Sequence, residues 1–406
     1  MTAPLAGVRV VEVATHVFAP MAGAVLAEWG ADVVKVEHPV TGDPYRGLVT
    51  TGLHPLRNGV DPYVQSANRA KRSVGLDLAN PDGRRVLSRL VGDADVFVTS
   101  LRPDARRRLA IDVEHVRDDN PAVIYVRASA FGPRGPDAGR GGYDAGAYWA
   151  RSGIQHVVTD PGADWPRPAP PAFGDVVGAL AIVGAVGAAL YRRATGGEPA
   201  VIDASLLASG MWQLQPGIVS AALDEPGDTT AAPPERYESW NPLMLPYRTA
   251  DGRFVALTML ASDRHWRAFC RAIGHPEAAD DPRFVDQDAR GRNARACVEW
   301  LDGVFARRDL AGWRRALADF PGEWAPVQTP GELHADPQVQ ANGYLAAVDV
   351  GAGGPLPMVT TPVQFDGEPA RPTRAPEHGE HTEAVLLDLG LSWAEIAALK
   401  DSGAVL

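Results

Sequence analysis

The chain has 406 residues, 45% of them apolar and 22% charged, with a formal net charge of −11. That length exceeds one compact core, so two domains are expected, and the composition is that of a water-soluble globular protein. The acidic balance argues against nucleic acid as a partner, while a small anion needs only local positive charge. In chain order, Val8–Ala14 reads as a buried strand. Met21–Trp29 follows as a helix, with Pro20 ahead of it and Gly30 as its stop. Asp32–Glu37 is the next strand, Pro81–Val91 a helix and Ala94–Thr99 a third strand. Arg102–Arg108 is a short basic helix, and Ala122–Ala128 a fourth strand. Strands alternating with helices at this spacing predict βαβ units, an α/β class and a parallel sheet.

Ligands of such sheets bind beyond the carboxyl ends of the strands. The first junction, Ala14–Pro20, lacks the G-x-G-x-x-G fingerprint, which weighs against NAD or FAD. Further on, Gly132–Pro136 and Gly139–Asp144 are loops able to approach a ligand closely. A Pro-rich loop, Thr159–Ala172, is expected to continue to Asp175, ahead of the apolar run Ala179–Leu190. A carboxylate at a helix start is favoured by unpaired N–H groups, so on this stretch alone Asp175 reads first as a first-turn helix residue. Val176–Leu190 is too short and Gly-rich for a membrane span, so a buried core helix is expected, and no membrane partner.

A short strand, Ala200–Asp203, leads into a helix over Ala204–Trp212. Asp224–Tyr237 reads as a linker, after which the pattern changes. A hairpin over Leu243–Leu257, turning at Ala250–Gly252, precedes amphipathic helices at Trp266–Ile273, Asn293–Arg307 and Leu310–Asp319. The expected organisation is a large domain over 1–224, a smaller α+β domain over 225–329 and a segment 330–406 with a strand near Ala346–Val350 and a helical tail. Cys270 and Cys297 make neither a disulfide framework nor a metal-ligand pattern, so no metal is expected and a reducing, cytoplasmic compartment fits. Met1–Gly7 has no signal-peptide pattern.

Several stretches, in this order, resemble the family III CoA-transferases, the group of formyl-CoA and carnitine CoA-transferases and α-methylacyl-CoA racemases. They are Leu5–Glu12, Gly30–Glu37, Gly42–Pro44, Asn68–Ser73 running into Leu76–Leu78, Asn120–Pro121, Gly174–Asp175, Thr195–Gly196 and Gly379–Leu391. The resemblance implies a Rossmann-like large domain built from both chain ends, a smaller inserted domain and an interlocked homodimer. It implies coenzyme A and acyl-CoA as substrates rather than as tightly bound cofactors, with an acyl-CoA donor and a carboxylic acid acceptor. Asp175 falls on the family's nucleophile, which forms a mixed anhydride and then an aspartyl-CoA thioester.

The resemblance also implies CoA contacts at Val17, Phe18 and Ala19, at His38 (where formyl-CoA transferases carry a phosphate-binding Arg), at Leu76, at Ser100 and Leu101 (in place of Asn-Phe), and at Arg108 and Leu109. For Arg108, within Arg106–Arg108, a solvated helix face is an equal reading. Tyr143 stands where the racemases carry a catalytic His; a Tyr with an ordinary pKa of about 10 is a poor base, which favours transfer. A racemase-type isomerase and a non-catalytic CoA-binding paralogue are the alternatives. The formyl-CoA transferases' glycine run is absent between Tyr237 and Leu257, and Trp149, Trp165, Trp212 and Trp240 are candidates for an apolar acyl pocket.

Overall fold

Valine recurs in six short runs, joined by isoleucine in two of them, and β-branched side chains suit a pleated surface. In the computed structural model, which describes residues 3–52, 55–160, 162–223, 235–351 and 354–406, these runs are β1 (Arg9–Val13), β2 (Asp32–Glu37), β3 (Arg72–Gly75), β4 (Val96–Thr99), β5 (Ile124–Ser129) and β6 (Val201–Ser205). They form one sheet in the order β3-β2-β1-β4-β5-β6, and every neighbouring pair is parallel. Side chains alternate between two cores. Val10, Val33, Val96 and Val98 face one, and Val11, Val34 and Phe97 face the other.

The first core is covered by α1 (Phe18–Glu28) and the second by α2 (Pro81–Gly92); α3 (Pro103–Arg108) follows β4. The longest helix, α4 (Phe173–Ala194), packs on α1, and α5 (Leu206–Gln213) follows β6. Close approach is set by glycine: a Cβ on Gly178 would lie 2.6 Å from a ring carbon of Phe18. Only one stripe of α4 is buried, Gly174, Gly178, Ala179, Ile182, Val183, Val186 and Ala189. Phe173, Val176, Val177, Leu180 and Tyr191 are exposed, which corrects the expectation of a fully buried core helix. By length and composition alone α4 could cross a membrane.

The chain divides into two compact units, Met1–Ala231 with Pro337–Leu406, and Ala232–Asp336. Most of the expected linker at Asp224–Tyr237 lies outside the described residues. In the second unit β7 (Pro246–Arg248), β8 (Phe254–Leu257) and β9 (Trp324–Pro326) form an antiparallel sheet, the first two joined as the predicted hairpin. The helices α6 (Ser262–Ala272), α7 (Ala294–Phe305) and α8 (Leu310–Ala316) bury Trp266, Phe269, Phe305 and Trp313 in its core. Back in the first unit, β10 (Leu345–Asp349) and β11 (Pro355–Val359) pair as a hairpin. The last helices, α9 (Thr382–Asp388) and α10 (Trp393–Asp401), add Val385, Leu386 and Ile396 to the second core. The C-terminal residues close over β3: Asp77 N–H donates to Ala404 O at 2.9 Å, and a Cβ on Gly75 would lie 2.6 Å from that of Leu406.

Candidate active site

Strand order reverses between β1 and β4, so their carboxyl ends part and leave a crevice. Thr15 and Ser100 stand at its two lips, tied by Thr15 N–H donating to Ser100 Oγ at 3.0 Å. His16 has a left-handed backbone, φ 67°, a conformation that costs energy in any residue with a Cβ. It is held there by its N–H, which donates to Asp43 Oδ1 at 3.1 Å, and by its Nδ1, 3.1 Å from Thr15 Oγ1. Burial lowers the His16 pKa against the pull of Asp43, with a smaller contribution from Lys35, and so favours the neutral ring.

Beneath the crevice lies a buried ionic network. Lys35 Nζ is 2.8 Å from Asp43 Oδ2 and 3.1 Å from Glu12 Oε1, and donates to Ala14 O at 2.9 Å. Lys71 Nζ is 2.8 Å from Glu12 Oε2 and donates to Pro20 O at 2.7 Å. Glu37 accepts from Arg46 at 2.8 and 2.9 Å and from Ser73 Oγ at 2.7 Å. Burial opposes its charge, but Arg46 and Lys35 outweigh it and hold the Glu37 carboxyl down at about 2. Burial brings the Lys71 ammonium down to about 8 despite Glu12. For Lys35, Asp43 and Glu12 overcome burial and raise it. Gly23 gives this cluster its room, since a Cβ there would sit 2.0 Å from Glu12 Oε2.

Asp175 comes to the crevice from α4. The helix starts at Phe173, not after Asp175 as the Pro-rich pattern suggested, and Asp175 stands in its first turn. Ala172 precedes it with φ 57°, and no side chain of that residue caps the helix. The buried carboxylate of Asp144 does so instead, accepting from Gly174 N–H at 2.9 Å. Gly174 is required by Tyr148, whose Cγ would lie 2.2 Å from a Cβ at that position. Burial first, and then the negative charge of Asp144, push the Asp175 carboxyl up to about 7. Burial likewise raises Asp144, against the N–H groups of Gly174 and Asp175.

Two adjoining cavities follow the strand ends and share Thr15 and Leu101. One, of about 550 Å³, is lined by His16, Val17, Phe18, Ser100, Leu101, Tyr143 and Asp175. The other, of about 380 Å³, is lined by His38, Leu76, Leu101, Arg108 and Leu109. Ten of the eleven residues singled out from sequence therefore line one or both; Ala19 does not, being fully buried in α1. His38 Nδ1 accepts from the Val40 and Thr41 N–H groups at 3.2 and 3.3 Å, leaving only Nε2 for a ligand. Tyr143 is exposed and stands edge-on to His16 at 5.2 Å between ring centroids. The four tryptophans line neither cavity: Trp149 is buried edge-on against Phe173, while Trp165, Trp212 and Trp240 are exposed.

Sequence reasoning singled out neither His16 nor Asp144. His16 sits in the very junction from which Val17 and Phe18 were chosen, but nothing in the sequence shows its left-handed backbone. Asp144 follows Tyr143, yet its capping of a helix 30 residues later is a tertiary fact.

The sheet order is that of an α/β protein with a crevice at the strand ends, and Asp175 lines that crevice. The profile of CoA-transferase family III matches residues 5–382, and the chain belongs to that family. It is 30% identical to (R)-2-hydroxy-4-methylpentanoate CoA-transferase of Clostridioides difficile, over 99% of each chain. It is 33% identical to succinate–glutarate CoA-transferase of Agrobacterium fabrum, over 95% of this chain and 96% of that one. Among solved structures, a CAIB/BAIF family protein from Brucella suis superposes with a TM-score of 0.81 at 28% identity, covering 96% of this chain and 100% of that one.

Proposed function

We propose that this chain moves coenzyme A from an acyl-CoA to a free carboxylic acid, with Asp175 as the covalent nucleophile. The observation that carries this reading is Asp175, among the described residues the one carboxylate lining the crevice, with a second cavity of about 380 Å³ adjoining it. An Asp175 oxygen attacks the thioester carbon, the C–S bond breaks, and CoA thiolate leaves a mixed anhydride. The thiolate then attacks the Asp175 carbonyl carbon, releasing the donor acid and forming an aspartyl-CoA thioester. The acceptor carboxylate displaces the thiolate, and the returning thiolate takes the new acyl group, freeing Asp175. Thiolate is a good leaving group, so a single carboxylate suffices.

A carboxyl near 7 is protonated in resting enzyme about half the time at neutral pH, and only its ionised form attacks. The raised pKa also makes that oxygen more basic than an ordinary aspartate and so a stronger nucleophile. The relatives' names include a hydroxy acid and two dicarboxylic acids, and only the CoA transfer they share is carried over here. The apolar exposed face of α4 supports a homodimer, interlocked as the family resemblance implies, with a second copy covering Val176, Val177 and Leu180. A cytoplasmic location belongs to the same proposal.

The test is CoA exchange between acyl-CoA donors and a broad panel of acids. Exchange that disappears, by at least about 10³-fold, in Asp175→Asn supports the reading; exchange that survives the substitution overturns it. One observation favours a second reading: His16 lines the same cavity as Asp175, and an imidazole and a carboxyl could serve as acid and base in exchanging an α-proton. Deuterium entering the α-carbon of a 2-methylacyl-CoA in heavy water, with no acceptor acid present, would select it.

A further inference from the structure

The geometry points to a second anion subsite opening off the reaction crevice, where Arg102 and Arg140 receive the distal carboxylate of a dicarboxylic acid. This rests on the CoA-transfer reading and names the acid class that site takes. A third cavity, of about 310 Å³, continues the crevice: both are lined by Ser100, Leu101, Arg102, Ser129 and Gly142.

Five arginines and two aspartates line the third cavity, an excess of positive charge in a chain whose net charge is −11. Three of the arginines are spoken for. Arg127 holds Asp203 through two hydrogen bonds of 2.7 and 2.9 Å. Arg106 reaches Asp112 at 3.2 Å and donates to Leu101 O at 2.8 Å, and Arg107 pairs with Asp104. Arg140 makes a 3.6 Å contact with Asp137 and lies over the Phe131 ring at 5.9 Å, with no closer carboxylate partner among the described residues. Arg102 has no carboxylate or carbonyl partner among the described residues, and it is the cation that lines both cavities.

A guanidinium with open donors matches a carboxylate in a two-pronged arrangement. Local backbone lets a ligand in: Gly141 and Gly142 line the wall, and Gly141 stands beside the Arg102 side chain, 3.7 Å from its Cδ to an added Cβ. In the cavity that holds Asp175, Arg102 is, among the described residues, the one arginine or lysine in the lining, so it is the cation available to an anionic tail of an acid bound there. A dicarboxylic acid would then present one carboxylate to the reaction and the other to Arg102.

The experiment compares succinate and glutarate with butyrate as acceptors, using the full chain as isolated, and repeats the comparison in Arg102→Gln and Arg140→Gln. The expected result is kcat/KM at least about 20-fold higher for the dicarboxylates, a two-pronged charged contact being strong. Arg102→Gln should erase most of that ratio, and Arg140→Gln part of it. Equal kcat/KM for the two acid classes overturns the proposal, and so does a ratio that Arg102→Gln leaves intact. A rise only in the KM for acyl-CoA would assign Arg102 to CoA and also overturn it. Calorimetric titration with glutarate and butyrate, without CoA, reads the subsite independently. Selective glutarate binding lost in Arg102→Gln supports it even if no acid exchanges CoA, a result that would sink only the transfer reading; unselective binding sinks the subsite.

Discussion

At Asp175 the chemistry and the stability of the protein pull in opposite directions. Burial raises its pKa from 3.8 to about 7, with Asp144 adding to the shift. A carboxyl whose folded pKa is raised contributes stability that is fully present below its unfolded value and is lost as pH rises through about 7. Between pH 4 and pH 8, therefore, wild type should lose about 1–2 kcal/mol relative to Asp175→Asn, a figure discounted for the solvent that reaches the crevice. Urea unfolding at the two pH values measures this; parallel changes in both proteins would contradict it. Catalysis should run the other way. The acid limb of kcat/KM should fall about tenfold per pH unit below about 7. In Asp144→Asn, which keeps an acceptor for the Gly174 N–H but removes the like charge, that limb should move to lower pH by about one unit. A pH profile of each protein decides this.

At the scale of elements, close-packed glycines and buried charge help to position the crevice. Gly174→Ala places a methyl group into the Tyr148 ring at the foot of α4 and should cost about 1–3 kcal/mol, with a loss of activity, because the turn carrying Asp175 must shift. Glu12→Gln leaves two buried ammonium groups with less than their countercharge and should cost about 3–5 kcal/mol. Denaturant midpoints read both. These same elements show what sequence can reveal. The strands β1, β2, β4 and β5 were legible because each is a valine-rich run with turn residues at its ends. β3 was not, since Arg72-Ser73-Val74-Gly75 offers one apolar side chain, and its place is fixed by Leu406 and Ala404 from the far end of the chain. β11 was missed for a similar reason, with two prolines in five residues. The stretches read as family markers, Lys35 in Gly30–Glu37 and Lys71 in Asn68–Ser73, meet on Glu12 in the ionic network, a convergence that no local pattern displays.

On the scale of the whole molecule, an acidic chain gathers five arginines beside one crevice and leaves one long helix half uncovered. Soluble chains seldom leave so apolar a helix face to water. Sedimentation should give twice the 43.1 kDa of one chain, and Leu180→Glu should weaken that association or abolish folding; a monomeric wild type would contradict the homodimer. The position of Asp175 near the head of that helix was legible from the Pro-rich stretch meeting the apolar run, whereas the environment that tunes it comes from Asp144 and Tyr148, brought in from the short helix Ala145–Ala150 and the residue before it. Mass spectrometry of the peptide containing Asp175, after incubation with an acyl-CoA and no acceptor acid, tests its nucleophilic role most directly. A CoA thioester on Asp175, converted by borohydride to the alcohol, is the expected result; an unmodified Asp175 in a preparation that exchanges CoA between acids would contradict it.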